Sequence, residues 1–290
     1  MGETRDYSMR EKVKKFIELV KFEHTVFALP FAYLGMMLAK KSWPGFGVFF
    51  WVTAAMVGAR TAGMTLNRMI DVKIDQKNPR TQNRALVTRE LNFTFAWALV
   101  GLSLAVFFVS AYQLGPLCFK LSPVALFFLI GYHYVKRFSF FCHWTLGVVL
   151  AIAPLGGWIA ASGGFSYQPI FVSLAVLFWV AGFDILYSLQ DADFDRANHL
   201  HSAPVKFGVP VSLKISEYCH WATILFFVIF GAVMSLGALY WVGLVIVAGL
   251  LKFEHRLVGE GDLSRINTAF FTVNGWIGIL PLVFTFLDRV

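Results

Sequence analysis

Apolar runs of about 17–25 residues, each long enough to cross a hydrocarbon core about 30 Å thick as a helix, recur along the whole chain. Short polar segments separate them. The pattern predicts nine membrane-spanning helices, at 25–39, 46–69, 93–112, 117–134, 144–161, 169–189, 218–236, 239–251 and 268–287. The run at 239–251 is the shortest and the weakest of these. No long polar stretch leaves room for a separate soluble domain, so residues 1–290 read as a single all-α integral membrane domain.

Composition agrees, with 58% hydrophobic and only 14% charged residues and a mean hydropathy of +0.65. Charge adds an orientation. When the loops are sorted alternately, one side receives Arg5, Arg10, Lys12, Lys14, Lys15 and Lys21, then Arg68, Lys73, Lys77, Arg80, Arg84 and Arg89, and later Lys136, Arg137, Arg196, Lys206, Lys214, Lys252, Arg256 and Arg265. The other side receives Lys40, Lys41, Lys120 and Arg289. Cytoplasmic loops carry the basic excess, which predicts a multi-pass inner-membrane protein with its amino terminus in the cytoplasm and its carboxyl terminus outside. Topology thus accounts for the net charge of +8 without a nucleic-acid partner, and no protein partner is evident.

A charged segment precedes the first apolar run, and no small-residue cleavage site follows it, so a cleaved signal peptide is not expected. Within residues 1–23, Val13, Phe16, Ile17 and Val20 share one helical face opposite Lys12, Lys14 and Lys15, as in a helix lying on a bilayer surface. Cys118, Cys142 and Cys219 are scattered and lack metal-ligand spacing.

The chemistry concentrates at the ends of two apolar runs. The second ends in NRMIDVKIDQKNPRTQNR, which places Asn67, Asp71 and Asp75 at i, i+4 and i+8 on one helical face, with Pro79 expected to end the helix. The sixth ends in FDILYSLQDADFDRANHLHSAPVKFG, which places Asp184, Tyr187, Asp191 and Asp195 on another face and leaves Asp193 to solvent. Carboxylates at a membrane boundary are costly unless compensated. Mg²⁺ supplies the compensation while keeping positions for phosphate oxygens, and Arg80 and Arg84 add donors suited to phosphate. Two such stripes at one level hold two ions against one diphosphate. Ionising an allylic diphosphate needs that arrangement, because negative charge growing on the leaving group must be neutralised in a water-poor site. Tyr187 offers a ring face that shields a cation.

These residues resemble the UbiA superfamily of membrane prenyltransferases, and within it the 4-hydroxybenzoate polyprenyltransferase branch. The family's NxxxDxxxD and DxxYxxxDxxxD motifs are matched by Asn67-Asp71-Asp75 and Asp184-Tyr187-Asp191-Asp195, and the likeness extends to KFEHTVFALPFA at 21–32, NPRT at 78–81, YVKR at 134–137 and HSAPVKFG at 201–208. The resemblance implies nine transmembrane helices around a central cavity, a cytoplasmic cap of two Asp-rich loops and a lipid-facing opening for a prenyl tail. It implies that Asn67, Asp71, Asp75, Asp191 and Asp195 bind Mg²⁺ and diphosphate, and that Arg80, Arg84, Lys136 and Arg137 contact phosphate. It places Asp184 and Tyr187 deeper, near the reacting carbon or the acceptor. Lys73 is a further candidate on a different helical face, and His24 matches a family position. Residues 84–86 read RAL where many relatives have proline after the arginine.

The implied activity is Mg²⁺-dependent transfer of a polyprenyl group from its diphosphate to a benzoate- or naphthoate-type aromatic acid in ubiquinone or menaquinone synthesis. Haem, homogentisate or a lipid alcohol are alternative acceptors. CDP-alcohol phosphotransferases also end their signature in DxxxD, but Ala55, Met56 and Asn67 occupy places where that signature needs Asp, Gly and Gly. A cation-coupled transporter would carry its carboxylates near the midplane of interrupted helices, whereas both motifs here lie at helix ends beside arginines.

Overall fold

A computed structural model describes residues 27–40, 43–259 and 263–289. The surface helix expected within residues 1–23, His24 and the beginning of the first apolar run lie outside the described residues. The described part is helical throughout its regular structure. Its long helices are α1 (Leu29–Leu38), α2 (Phe46–Ile70), α3 (Phe93–Gln113), α4 (Pro116–Val135), α5 (Cys142–Ser162), α6 (Gln168–Ser188), α7 (Val209–Val233), α8 (Ala238–Leu257) and α9 (Asn274–Arg289). Eight segments are long and apolar enough to cross a membrane, and α1, with 10 described residues, is shorter.

The helices pack mainly on their neighbours in the chain, from α2 onto α3 through to α8 onto α9, and the ring closes where α9 meets α1 and α1 meets α2. Outward faces expose large apolar side chains, among them Phe46, Trp97, Phe127, Tyr218 and Val245. In water such exposure would drive aggregation; against lipid tails it has no cost. α4 is the most peripheral, burying only Ser122 and His133.

Because lipid gives apolar helices no hydrophobic reason to associate, close packing must hold them. Small residues allow it where α1 crosses α5. A Cβ at Gly35 would strike the Pro154 carbonyl, and one at Gly157 would strike the Ala32 carbonyl. Pro123, Pro154 and Pro281 sit inside helices, which neighbouring helices tolerate in a bundle of this kind.

Helix limits differ from the apolar runs in an instructive way. α7 begins at Val209, nine residues before the expected 218, with Pro210 in its first turn. The weakest expected span, 239–251, is a 20-residue helix reaching Leu257. In both, hydrogen bonding continues past the lipid boundary into exposed polar residues such as Lys214 and Arg256, where hydropathy falls but the helix does not stop. Pro79 does not end α2. The regular helix breaks earlier, at Asp71, and only one short turn, Val72–Asp75, follows it.

The α1–α5 crossing gives a stability test. Gly157→Val is expected to destabilise the detergent-solubilised protein by about 1–3 kcal/mol or more through overpacking. Gly156→Ala, which meets open space, is expected to stay within about 0.5 kcal/mol of the parent. Indistinguishable melting of the two variants would contradict the close-approach account.

Candidate functional site

The two acidic motifs share one local device. α2 reaches Ile70, and Asp71 takes φ −93° and ψ 4° before the short turn Val72–Asp75. α6 reaches Ser188, passes through the 3₁₀ turn Leu189–Asp191, and Asp191 takes φ −102° and ψ 4° before the helix Ala192–Ala197. Each middle aspartate therefore sits at a bend in the sparsely populated bridge region. The expected faces are not single straight helical stripes: each breaks at its middle carboxylate.

Around Asp71 the side chains form a tight group. Asn67 Nδ2 donates to Asp71 Oδ2 at 3.2 Å, and Arg137 donates to Asp71 Oδ1 and to the Ile70 carbonyl, both at 2.9 Å. Burial pushes the Asp71 carboxyl above the ordinary carboxylate range, with Lys136 and Arg137 pulling the other way. One turn on, buried Asp75 accepts from Arg84 Nη1 at 2.5 Å.

The motifs meet through the NPRT segment. Asn78 Nδ2 donates to Asp191 Oδ1 at 3.1 Å, and Arg80 reaches the same carboxylate with Nε at 3.1 Å and, bidentately, with Nη2. Arg80 Nη1 also donates to Tyr187 Oη at 3.1 Å, with the guanidinium 5.3 Å from the ring centre. Burial lowers the basicity of Arg80, but the hydrogen bond and charge of Asp191 outweigh it and raise it overall. A third segment joins from the loop after α4. The Lys136 carbonyl accepts from His201 N at 2.7 Å, and the Lys136 charge acts on both Asp71 and buried Asp195.

Deeper on α6, Asp184 Oδ2 bonds His143 Nδ1 at 2.7 Å, while His143 Nε2 accepts from Ala203 N at 3.2 Å. A backbone N–H pointing at Nε2 means that Nδ1 carries the proton and donates to Asp184. Asp193 is fully exposed and pairs with Arg196. Lys73 is exposed and stands apart from the buried stripe. Sequence reasoning passed over His143, His133, which bonds Asn67 Nδ2 at 3.1 Å, and Arg60, whose Nε is sealed in mid-α2 without a hydrogen-bond partner. His133 and Arg60 were detectable as ionisable side chains within an apolar run, and His143 as one at the edge of the run at 144–161.

Among the described residues no three His, Cys, Asp or Glu side chains group closely enough to cage a metal by themselves. That donor set still fits Mg²⁺, which takes one or two carboxylates and completes its octahedron with water and substrate phosphate. It does not suit zinc, which wants a closed set of protein ligands.

A bundle of apolar helices with two facing acidic bends on one rim is the architecture of an intramembrane diphosphate-handling protein. The sequence pattern of the UbiA prenyltransferase family matches residues 28–276, and the chain belongs to that family. It is 29% identical over 249 residues to a 4-hydroxybenzoate octaprenyltransferase from Nitrosospira multiformis, covering 84% of this chain and 83% of that one. Its structure is similar to an apo UbiA homologue from Aeropyrum pernix K1, with 34% identity and a TM-score of 0.84 over 92% of this chain and 98% of that one. A UbiA homologue from Archaeoglobus fulgidus bound to GPP and Mg²⁺ shares the fold at 19% identity and a TM-score of 0.74, over 95% of this chain and 99% of that one.

The paired bends predict a ligand effect. Magnesium with inorganic pyrophosphate is expected to raise the unfolding temperature of the solubilised protein, adding about 2.7 kcal/mol at a hundredfold excess over Kd. EDTA should remove the shift, and Asp191→Ala should abolish it. An equal shift in the variant would show that the second bend takes no part in binding.

Proposed function

We propose that this chain is an integral inner-membrane enzyme that transfers a polyprenyl group from its diphosphate to a 4-hydroxybenzoate-type aromatic acid in quinone biosynthesis. The observation that carries this reading is the convergence of two acidic bends, 120 residues apart in sequence (Asp71 and Asp191), on one rim beside Arg80, Arg84, Lys136 and Arg137. The relatives' names supply the acceptor class, and the Mg²⁺-bound neighbour supports the metal. The excess of Lys and Arg on that rim supports a cytoplasmic orientation, with the two Asp-rich segments forming the cap and α1 standing at the ninth span.

Mg²⁺, when bound, neutralises negative charge growing on the departing diphosphate. The chain's own residues do the rest. Asn67, Asp71, Asp75, Asp191 and Asp195 offer the oxygen ligands. Arg80, Arg84 and Arg137, now holding carboxylates, and Lys136, whose charge acts on Asp71 and Asp195, are in place to donate to phosphate oxygens. Lys73, exposed and off the stripe, is at most an outer phosphate contact. The allylic C–O bond breaks, the cation alkylates a ring carbon and the ring loses a proton. Tyr187 presents its ring beneath Arg80 to shield the cation. Asp184, aligned by His143, orients the acceptor hydroxyl.

Arg60 meets the acceptor's carboxylate. Tyr132 lies within electrostatic reach of Asp71, Asp184, Arg60 and Arg68, which puts Arg60 in the charged neighbourhood of the acidic rim. A partnerless guanidinium nitrogen there suits an anionic aromatic better than a neutral quinol or lipid alcohol.

Three measurements test the reading. In purified protein with a long-chain prenyl diphosphate, 4-hydroxybenzoate is expected to be prenylated and a dihydroxynaphthoate much less so. Asp71→Ala or Asp191→Ala should abolish transfer while the protein stays folded in the membrane; near-normal activity in either would refute the metal role. Arg60→Leu should raise the acceptor KM by about tenfold or more, the worth of a charge-assisted hydrogen bond, and leave the prenyl diphosphate KM unchanged. A change confined to the prenyl diphosphate KM would place Arg60 elsewhere.

A further inference from the structure

Away from the acidic bends, the part of the bundle built by α6, α7, α8 and α9 buries a polar cluster in apolar surroundings. Asn274, wholly buried at the start of α9, commits its side-chain amide to three partners. Oδ1 accepts from Trp179 Nε1 at 2.7 Å, while Nδ2 donates to Glu254 Oε1 at 2.6 Å and to the Ala269 carbonyl at 3.1 Å. An indole N–H only donates and a carbonyl only accepts, so the amide cannot be flipped. Glu254 is 1% exposed, and its second oxygen lies 3.9 Å from His220 Nδ1, which in turn is 2.9 Å from His255 Nε2. Groups this costly inside a membrane bundle call for a function.

The segment before Asn274, Thr268–Val273, is a π-helical turn, a form that concentrates at functional sites. Asn274 closes the turn twice over, its backbone N–H and its Nδ2 both donating to the Ala269 carbonyl. The turn also presents Phe270 to α6. The Phe270 ring stacks on Tyr187 at 4.0 Å and 30° and meets Phe183 edge-on at 5.3 Å, and Phe183 meets Trp179 at 5.1 Å. Trp179, Phe183 and Tyr187 stand at i, i+4 and i+8, so one face of α6 is held at its lower end by Asn274 and at its upper end by Phe270. Both holds come from a single π-turn, Phe270 within it and Asn274 directly after it.

We propose that Asn274, fixed by Glu254, is a positioning residue for the diphosphate site. It touches no substrate; it sets the π-turn so that Phe270 backs Tyr187 and thereby keeps Tyr187, Arg80 and Asp191 in register. This inference rests on the reading of Tyr187 and Arg80 as site residues.

A double-mutant cycle on the full-length protein tests it, using Asn274→Ser and Tyr187→Leu singly and together, with kcat and both KM values measured. Asn274→Ser is expected to lower kcat by on the order of tenfold, as small misplacements at a reacting centre do, with the acceptor KM within about twofold. With Tyr187→Leu already present it should cost nothing further. Glu254→Gln, which keeps the accepting oxygen, should recover most of what Glu254→Leu loses. Additive losses in the cycle would overturn the inference alone. A Tyr187→Leu variant of full activity would overturn the site reading and the inference with it. If Asn274→Ser does not yield monodisperse protein, Phe270→Leu takes its place in the same cycle with the same expected coupling.

Discussion

Carboxylates at the end of an apolar helix must be compensated, and most of the site's construction follows from that constraint. Moving a charge out of water costs several kcal/mol unless a partner sits beside it. Here Asp71 is answered by Arg137, Asp191 by Arg80 and Asp75 by Arg84. Two of those pairs tie together chain segments 66 and 111 residues apart, so compensation at the rim also joins the α2 end to the loop after α4 and to the end of α6. The same guanidinium groups that neutralise the carboxylates suit phosphate, and a site built this way exchanges partners rather than exposing bare charge.

The bends explain why a carboxylate, rather than any polar residue, stands at each helix end. A straight helix would carry the polar side chains of the first motif along one line, climbing about 6 Å per four residues away from the membrane. Breaking at Asp71 and again at Asp191, with ψ near 4° in both, turns the following turn back across the rim. Asp75 and Asp195 stay buried instead of projecting into water. Asp193 shows the alternative, since it falls on the outer side of the second bend and pairs only with its neighbour Arg196.

Much of this was legible in the sequence, for a physical reason: apolar runs and the four-residue spacing of Asn67, Asp71 and Asp75 are local properties. Helix limits were less so, because hydropathy marks where lipid ends whereas a helix ends where its hydrogen bonds do. α7 starts at Val209 in water-facing sequence for that reason. Which arginine answers which aspartate was not legible at all, nor was the bond from His143 to Asp184, 41 residues away. Such pairings are set by how helices cross, and helix crossing depends on features as small as the missing side chain of Gly157.

The two sides of the second motif are supported by different physics, and the difference bears on how the site works. Its rim is held by ion pairs between half-exposed arginines and carboxylates, which a charged ligand can displace at small cost because water and phosphate replace what is lost. Its base is held by stacked rings and a buried amide whose partners have no replacement. Tyr187 belongs to both, accepting from Arg80 above and resting on Phe270 below. A reaction that generates a cation needs the leaving group's surroundings to rearrange while the ring that shields the cation stays still. On the role proposed for Tyr187, placing the exchangeable contacts on one side of it and the rigid ones on the other satisfies both demands with one residue.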